Sequence, residues 1–271
     1  MHPESSRITL YELMTMRSGL PGNPVGGLTA GQIKNGLRAI QAAAGDDRSR
    51  RVLVAERMLS SAPRKEPGAV FAYSNTSYLL LGAIVEQVAD DTYDKLIAQE
   101  VFEPLAIADF GFGAPGSAGA LDQPLGHEAR AKGSPIPPDS PEADLPSFMR
   151  PAGGINLTLA AWSRFVADHL VGERGGGALL APDTYVRLHT RPDPTAPYAG
   201  GWGVSTFKGR RMLSHVGNNT RFTAFVQAFP ESGHAFVYAS NDGRDAPSVK
   251  AFETIQAGLA AIYLADQPLA R

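Results

Sequence analysis

The spacing of apolar residues changes character twice along this chain, and that order limits the fold more than any other feature. Between residues 8 and 171 apolar residues recur at helical intervals in separate segments. From residue 198 they alternate, and from Pro247 the helical interval returns. Helical spacing predicts helices over residues 8–17, 48–60, 76–89, 92–102 and 158–171. Thr9 and Thr92 are placed to cap, and Ile8, Leu10, Leu13 and Met14 share the first apolar face. Alternation predicts two hairpins. One joins 202–207 to 211–215 across a Lys-Gly-Arg turn, and the other joins 221–229 to 235–239 across Pro230-Glu231-Ser232-Gly233. The closing helix carries Phe252, Ile255, Leu259, Ile262 and Tyr263 on one stripe. Helices first, then an antiparallel meander, then one helix is the order of an α+β fold. We expect a single domain, helical and loop-rich over about 8–197, with antiparallel strands and a C-terminal helix over about 198–271.

Composition narrows the function classes. With 43% apolar and 19% charged residues the chain has an ordinary globular balance and is not wholly disordered. A formal net charge of −2 lacks the basic footprint of a nucleic-acid binder. The absence of cysteine excludes disulfides, thiolate catalysis and cysteine-ligated zinc or iron–sulfur sites. The 29 Gly and 21 Pro exceed the roughly 12% typical of globular chains, which predicts long connections. Residues 109–147 concentrate them, with Pro135, Pro137, Pro138, Pro141 and Pro146 closely spaced, and read as a long irregular segment. No stretch approaches the roughly 20 apolar residues of a membrane span. No apolar signal-peptide core follows Met1, and the compartment stays open.

Generic catalytic patterns are missing: there is no G-x-S-x-G, no H-E-x-x-H, no phosphate-binding G-x-x-x-x-G-K-[ST] and no G-x-G-x-x-G after a predicted strand. The six histidines are scattered singly, and nothing points to a metal or an organic cofactor. Two short signals stand out. Tyr73-Ser74-Asn75 ends a Pro/Gly loop just before a helix. A phenol there can exchange a proton, and a carboxamide offers both a donor and an acceptor to a substrate amide. The plain alternative is a packed aromatic beside a capping Asn75. His215-Val216-Gly217 ends a predicted strand, followed by Asn218 and Asn219. His215 and Gly217 share one face, and glycine at a strand margin lets another backbone approach. The plain alternative is a turn glycine with an incidental histidine.

Taken with their surroundings, these signals resemble the serine β-lactamase-like superfamily of class C β-lactamases, D-alanyl-D-alanine carboxypeptidases, related esterases and D-aminopeptidases. Ile8-Thr9-Leu10 through Ser18-Gly19-Leu20-Pro21 is similar to the I-T-L…S-G-L-P segment. Pro67-Gly68 through Tyr73-Ser74-Asn75, with Tyr78 and Leu81-Gly82 following, resembles the second motif. Phe102-Glu103-Pro104-Leu105 resembles the F-x-P-L corner, and Pro151-Ala152-Gly153-Gly154 the P-A-G-G turn. Gly201-Trp202-Gly203 and His215-Val216-Gly217 resemble the strand of the third motif, here H-x-G rather than K-T-G. Asn241-Asp242-Gly243 closes the last strand. The resemblance spans nearly the whole chain. It implies acyl transfer from an amide or ester through an acyl-enzyme, of peptidase or esterase type rather than β-lactamase. Tyr73 would help move the nucleophile's proton, Asn75 would orient the substrate, and His215 would polarise its carbonyl or bind its carboxylate. Gly217 would leave room for it along the strand, and the Asn218 N–H would be one oxyanion donor.

One departure is large. The family's first motif, S-x-x-K at a helix start, supplies the attacking Ser and its Lys, and it lies well before the I-T-L segment. Here seven residues precede Ile8, and the sole S-x-x-K is Ser205-Thr206-Phe207-Lys208, in a predicted strand and turn. Ser74 is the least unsuitable substitute. The expected consequence is a chain inactive alone, or a silent ligand-binding or regulatory module on the same fold. The missing segment would also supply early strands and the buried S-x-x-K helix. The chain is therefore expected to be a fragment of a longer protein, to need a complementing chain, or to self-associate, with a sheet edge and the Phe252, Ile255 and Leu259 face in want of partners. The implied substrate is a small-molecule or peptide acyl compound.

Overall fold

Thr9 opens the first helix with a reciprocal cap: its hydroxyl accepts the Glu12 N–H, and the Glu12 carboxylate accepts the Thr9 N–H at 2.8 Å. The computed structural model describes residues 1–25, 29–127 and 133–263. They form two compact units. The first comprises Met1–Glu100, Leu145–Gly154 and Arg191–Gly201; the second holds Val101–Asp144, Ile155–Thr190 and the chain from Trp202.

The first unit holds α1 (Leu10–Met14), α2 (Ala30–Gln41), α3 (Asp47–Leu59), α4 (Asn75–Ala89) and α5 (Tyr93–Ile97). The helix expected over 8–17 is shorter, ending before Met16 takes a positive φ, and Leu10 faces solvent while Leu13 is buried with Leu20 and Leu80. Thr92 does not cap α5 through its side chain. Instead the Glu86 carboxylate of α4 accepts the Tyr93 N–H at 2.8 Å. Helix α2 went unpredicted. Its core comprises Leu37, Ile40, Val54, Leu79, Phe148 and Met149. Under that core lies a buried ion pair: Arg51 of α3 donates to both Glu86 oxygens, at 2.8 and 2.5 Å, and to the Phe148 carbonyl at 3.1 Å.

The second unit begins with a small antiparallel pair, β1 (Phe110–Phe112) with β2 (Ile155–Leu157), followed by α6 (Leu159–Gly172) and α7 (Pro182–His189). Then comes the meander β3 (Gly203–Phe207), β4 (Arg210–Asn218), β5 (Thr223–Phe229) and β6 (His234–Ser240), antiparallel in sequence order, closed by α8 (Asp245–Tyr263). Phe207 pairs with Arg210, so the first hairpin turns on Lys208 and Gly209 alone. Both have positive φ, which matches the twist of the flanking strands. Leu213, Val226 and Ala228 face Val166 and Leu170 of α6, and Phe225 stacks on Phe252 of α8 with ring centroids 4.5 Å apart. The sheet thus lies between two helices, and the mixed helical and antiparallel architecture is α+β as expected.

Among the described residues β3 and β6 are the two edge strands of this sheet. The expected stripe on α8 divides. Phe252 has partners within the unit and the Tyr263 ring lies 6.0 Å from that of His234, whereas Ile255 and Ile262 face solvent. Among the described residues no helix is long and apolar enough to cross a membrane.

Candidate active site

The two motif segments of the helical unit are laid against each other by backbone bonds. The Ala72 N–H reaches the Met16 carbonyl at 2.8 Å, Asn75 N–H that of Gly22 at 2.9 Å, and Arg64 N–H that of Gly19 at 2.8 Å. This contact explains Ser18-Gly19-Leu20-Pro21. Gly19 has φ +72°, and a Cβ there would stand 2.1 Å from the Lys65 carbonyl oxygen. It also explains Leu81-Gly82: a Cβ on Gly82 would lie 2.3 Å from the Pro151 ring of the P-A-G-G turn. Motifs far apart in sequence are therefore interlocking parts of one scaffold.

On that scaffold Tyr73 is half exposed, and Asn75, the first residue of α4, is partly exposed. Burial pushes the Tyr73 phenol above the ordinary tyrosine value. The helix cap is Ser74, not Asn75: its hydroxyl accepts the Ser77 N–H and donates to the Pro21 carbonyl at 2.9 Å, fully buried. That also removes Ser74 as a substitute nucleophile, because its hydroxyl is spent on structure. Ser18 and Ser77 are likewise buried, with their hydroxyls 2.8 Å apart. Ser205 lies in β3, and Lys208 in the turn after it.

In the second unit β4 outruns its neighbour. Gly203 of β3 pairs with Ser214, and no described strand flanks His215, Val216, Gly217 and Asn218 on that side, although β5 continues on the other. His215 follows Leu213 on the face toward α6 and is half buried, and burial lowers its pKa. Gly217 has no positive φ, and a Cβ there would meet nothing within 4 Å. Among the described residues neither backbone nor packing requires this glycine. The Asn218 carboxamide ties down the following turn, donating to Thr223 Oγ1 at 2.9 Å and the Gly243 carbonyl at 3.2 Å. A Cβ on Gly243 would stand 2.1 Å from the Thr220 backbone, which accounts for Asn241-Asp242-Gly243. Tyr73 and Asn75 thus share one unit, and His215, Gly217 and Asn218 share the other.

Two histidines that look solitary in the sequence meet. His169 Nδ1 and His189 Nε2 are 2.9 Å apart, and His189 Nδ1 is 2.7 Å from Glu173, which also accepts from Arg211 at 2.7 Å. The neighbouring carboxylate, Asp168, accepts from Tyr185 and from the Ala178 N–H. The arrangement suits two neutral rings, each donating from Nδ1. Burial, then the charge of His189, lowers His169 from 6.5 to about 4. An unfolded histidine takes up its proton near pH 6.5, but the folded one resists until about pH 4. The stabilisation is therefore complete above pH 6.5 and lost as pH falls toward 4. Urea unfolding should show a stability difference between pH 7 and pH 4 that is smaller in His169→Gln than in the parent by about 3 kcal/mol; an equal difference in the variant would contradict this.

Known proteins share this frame. Over 251 residues the chain is 25% identical to Protein flp of Staphylococcus aureus (strain N315), covering 88% of this chain and 44% of that protein. The octameric penicillin-binding protein homologue from Pyrococcus abyssi superposes with TM-score 0.69 at 20% identity, over 93% of this chain and 56% of that one. The D-amino acid amidase from Ochrobactrum anthropi SV3, complexed with L-phenylalanine, gives 0.71 at 18% identity, over 98% and 76%. The two structural likenesses bear on fold alone, and the chain spans about half the length of the curated relatives it matches. The interlocked motifs agree with a further match, in which the beta-lactamase family profile covers residues 2–260; the chain belongs to that family.

Proposed function

We propose that the chain is the substrate-binding part of a serine acyl hydrolase acting on amide or ester bonds, of peptidase or esterase type, and that alone it binds without turning over. The observation that carries this reading is the exposed Val216–Gly217 stretch of β4, which runs past the end of β3 and holds a glycine that no contact among the described residues requires. An extended acyl substrate can add its backbone there. In this reading Gly217 gives it room, the Asn218 N–H serves the oxyanion, Asn75 orients the amide, and Tyr73 helps move the nucleophile's proton. A histidine kept neutral by burial suits an uncharged amide or ester carbonyl better than a carboxylate, which a lysine at this place would favour.

The second reading, a silent ligand-binding or regulatory module, is favoured by the serines. Ser74 is committed to a cap, and Ser205 lies in a strand without the backbone donors of a helix start. A second copy or a complementing chain at the β6 edge is proposed as partner. Titration with D-phenylalanine amide, with ammonia release followed in parallel, tests the reading. Saturable binding without release is expected, and absence of binding up to the solubility limit would refute it.

A further inference from the structure

Residues 191–201 belong to the helical unit although they follow Tyr73 distantly in the chain. Two anchors hold them there. Asp193 pairs with Arg17, whose Nε donates to the Gly68 carbonyl at 3.0 Å, in the loop that leads to Tyr73. Asp193 also accepts the N–H groups of Thr195 at 2.9 Å and Ala196 at 3.0 Å, shaping the turn before Tyr198. The second anchor is Tyr198 itself. It is buried, its hydroxyl donates to that of Tyr78, and Tyr78 donates onward to the Met14 carbonyl at 3.0 Å. The ring so fixed meets Phe71 at 5.9 Å and Tyr73 at 6.5 Å, the latter edge-on at 84°.

We infer that Tyr198 is a positioning residue for Tyr73: its ring, anchored through the hydroxyl to Tyr78 and α1, braces the Tyr73 ring edge-on and holds that phenol in one orientation. The inference rests on the role proposed for Tyr73 and concerns how that role is kept in register. It also makes the three phenols a set. Burial raises all three above the ordinary tyrosine value, Tyr78 to about 12, and an ionised Tyr73 would further oppose ionisation of the other two. Tyr73 is therefore held as a hydrogen-bond donor at neutral pH.

The test uses the full chain labelled with 13Cζ-tyrosine, the Tyr73 resonance being identified by its loss in Tyr73→Phe. In Tyr198→Leu the Tyr73 resonance should move, its alkaline midpoint should fall toward about 10, and D-phenylalanine amide should bind about three- to tenfold more weakly. Tyr198→Phe keeps the ring but not its anchor, and should restore most of the midpoint and affinity while leaving the resonance displaced. Should the leucine variant fail to fold, a displaced Tyr73 resonance in Tyr198→Phe supports the inference by itself. An unchanged Tyr73 resonance and midpoint in every folded variant would overturn it. If the midpoint moves but the amide leaves Tyr73 undisturbed in the parent chain, the bracing stands and the proposed function fails.

Discussion

Incubated with p-nitrophenyl butyrate or nitrocefin, the purified chain is expected to show turnover on the order of a million-fold below that of a complete Ser–Lys enzyme, since a nucleophile and its base act as a unit. Three observations lead there. The only S-x-x-K match puts its serine in β3 and its lysine in a two-residue turn. Ser74 spends its hydroxyl on the Ser77 N–H and the Pro21 carbonyl. Burial moves the Tyr73 phenol away from the range where it could accept a proton at pH 7. A serine-directed fluorophosphonate should accordingly leave the intact mass unchanged. Turnover that Tyr73→Phe abolishes but the fluorophosphonate does not touch would contradict the acyl-serine reading and point to another chemistry.

Replacing Glu86 by leucine is expected to cost about 3–5 kcal/mol, a large share of the 5–15 kcal/mol that holds a typical domain folded. Glu86 is fully buried, and its carboxylate serves two partners: the Arg51 guanidinium and the Tyr93 N–H. Its loss strands an almost wholly buried cation and an unpaired donor at the start of α5. Glu86→Gln should cost less, because the amide oxygen can still accept from Tyr93. Arg51→Met combined with Glu86→Leu should recover much of the loss, since two apolar groups no longer leave a lone charge. Urea unfolding followed by circular dichroism reads all three variants. A Glu86→Leu protein within 1 kcal/mol of the parent would show that the pair contributes little.

Where periodicity was strong, the elements were legible. The helix expected over 76–89 is α4, and the alternation after residue 202 announces the meander to within a few residues. Helix α2 escaped because Gly31 and Gly36 dilute its pattern, although Thr29 and Gln32 form a capping box that the sequence does display. Helix α7 is signalled by Pro182 at its first turn, but its buried face is little more than Tyr185 and His189. The stripe on α8 was read as one face, yet Phe252 found Phe225 while Ile255 did not. The candidate site was legible through its motifs, not through its supports. Gly19, Gly82 and Gly243 owe their identity to contacts across long stretches of chain, as do the Tyr198 brace and the His169–His189 pair. No local spacing encodes such contacts.

The proposal that Tyr73, Asn75 and His215 serve one acyl ligand is tested most directly by a single nuclear magnetic resonance titration. Chain labelled at the Tyr73 ring, the Asn75 carboxamide and the His215 imidazole would be titrated with D-phenylalanine amide at pH 7. One saturation curve shared by all three signals, weakened about tenfold by Asn75→Ala through loss of a hydrogen bond, is the predicted result. Separate curves for Tyr73 and His215, or a ligand that moves one and leaves the others untouched, would contradict it.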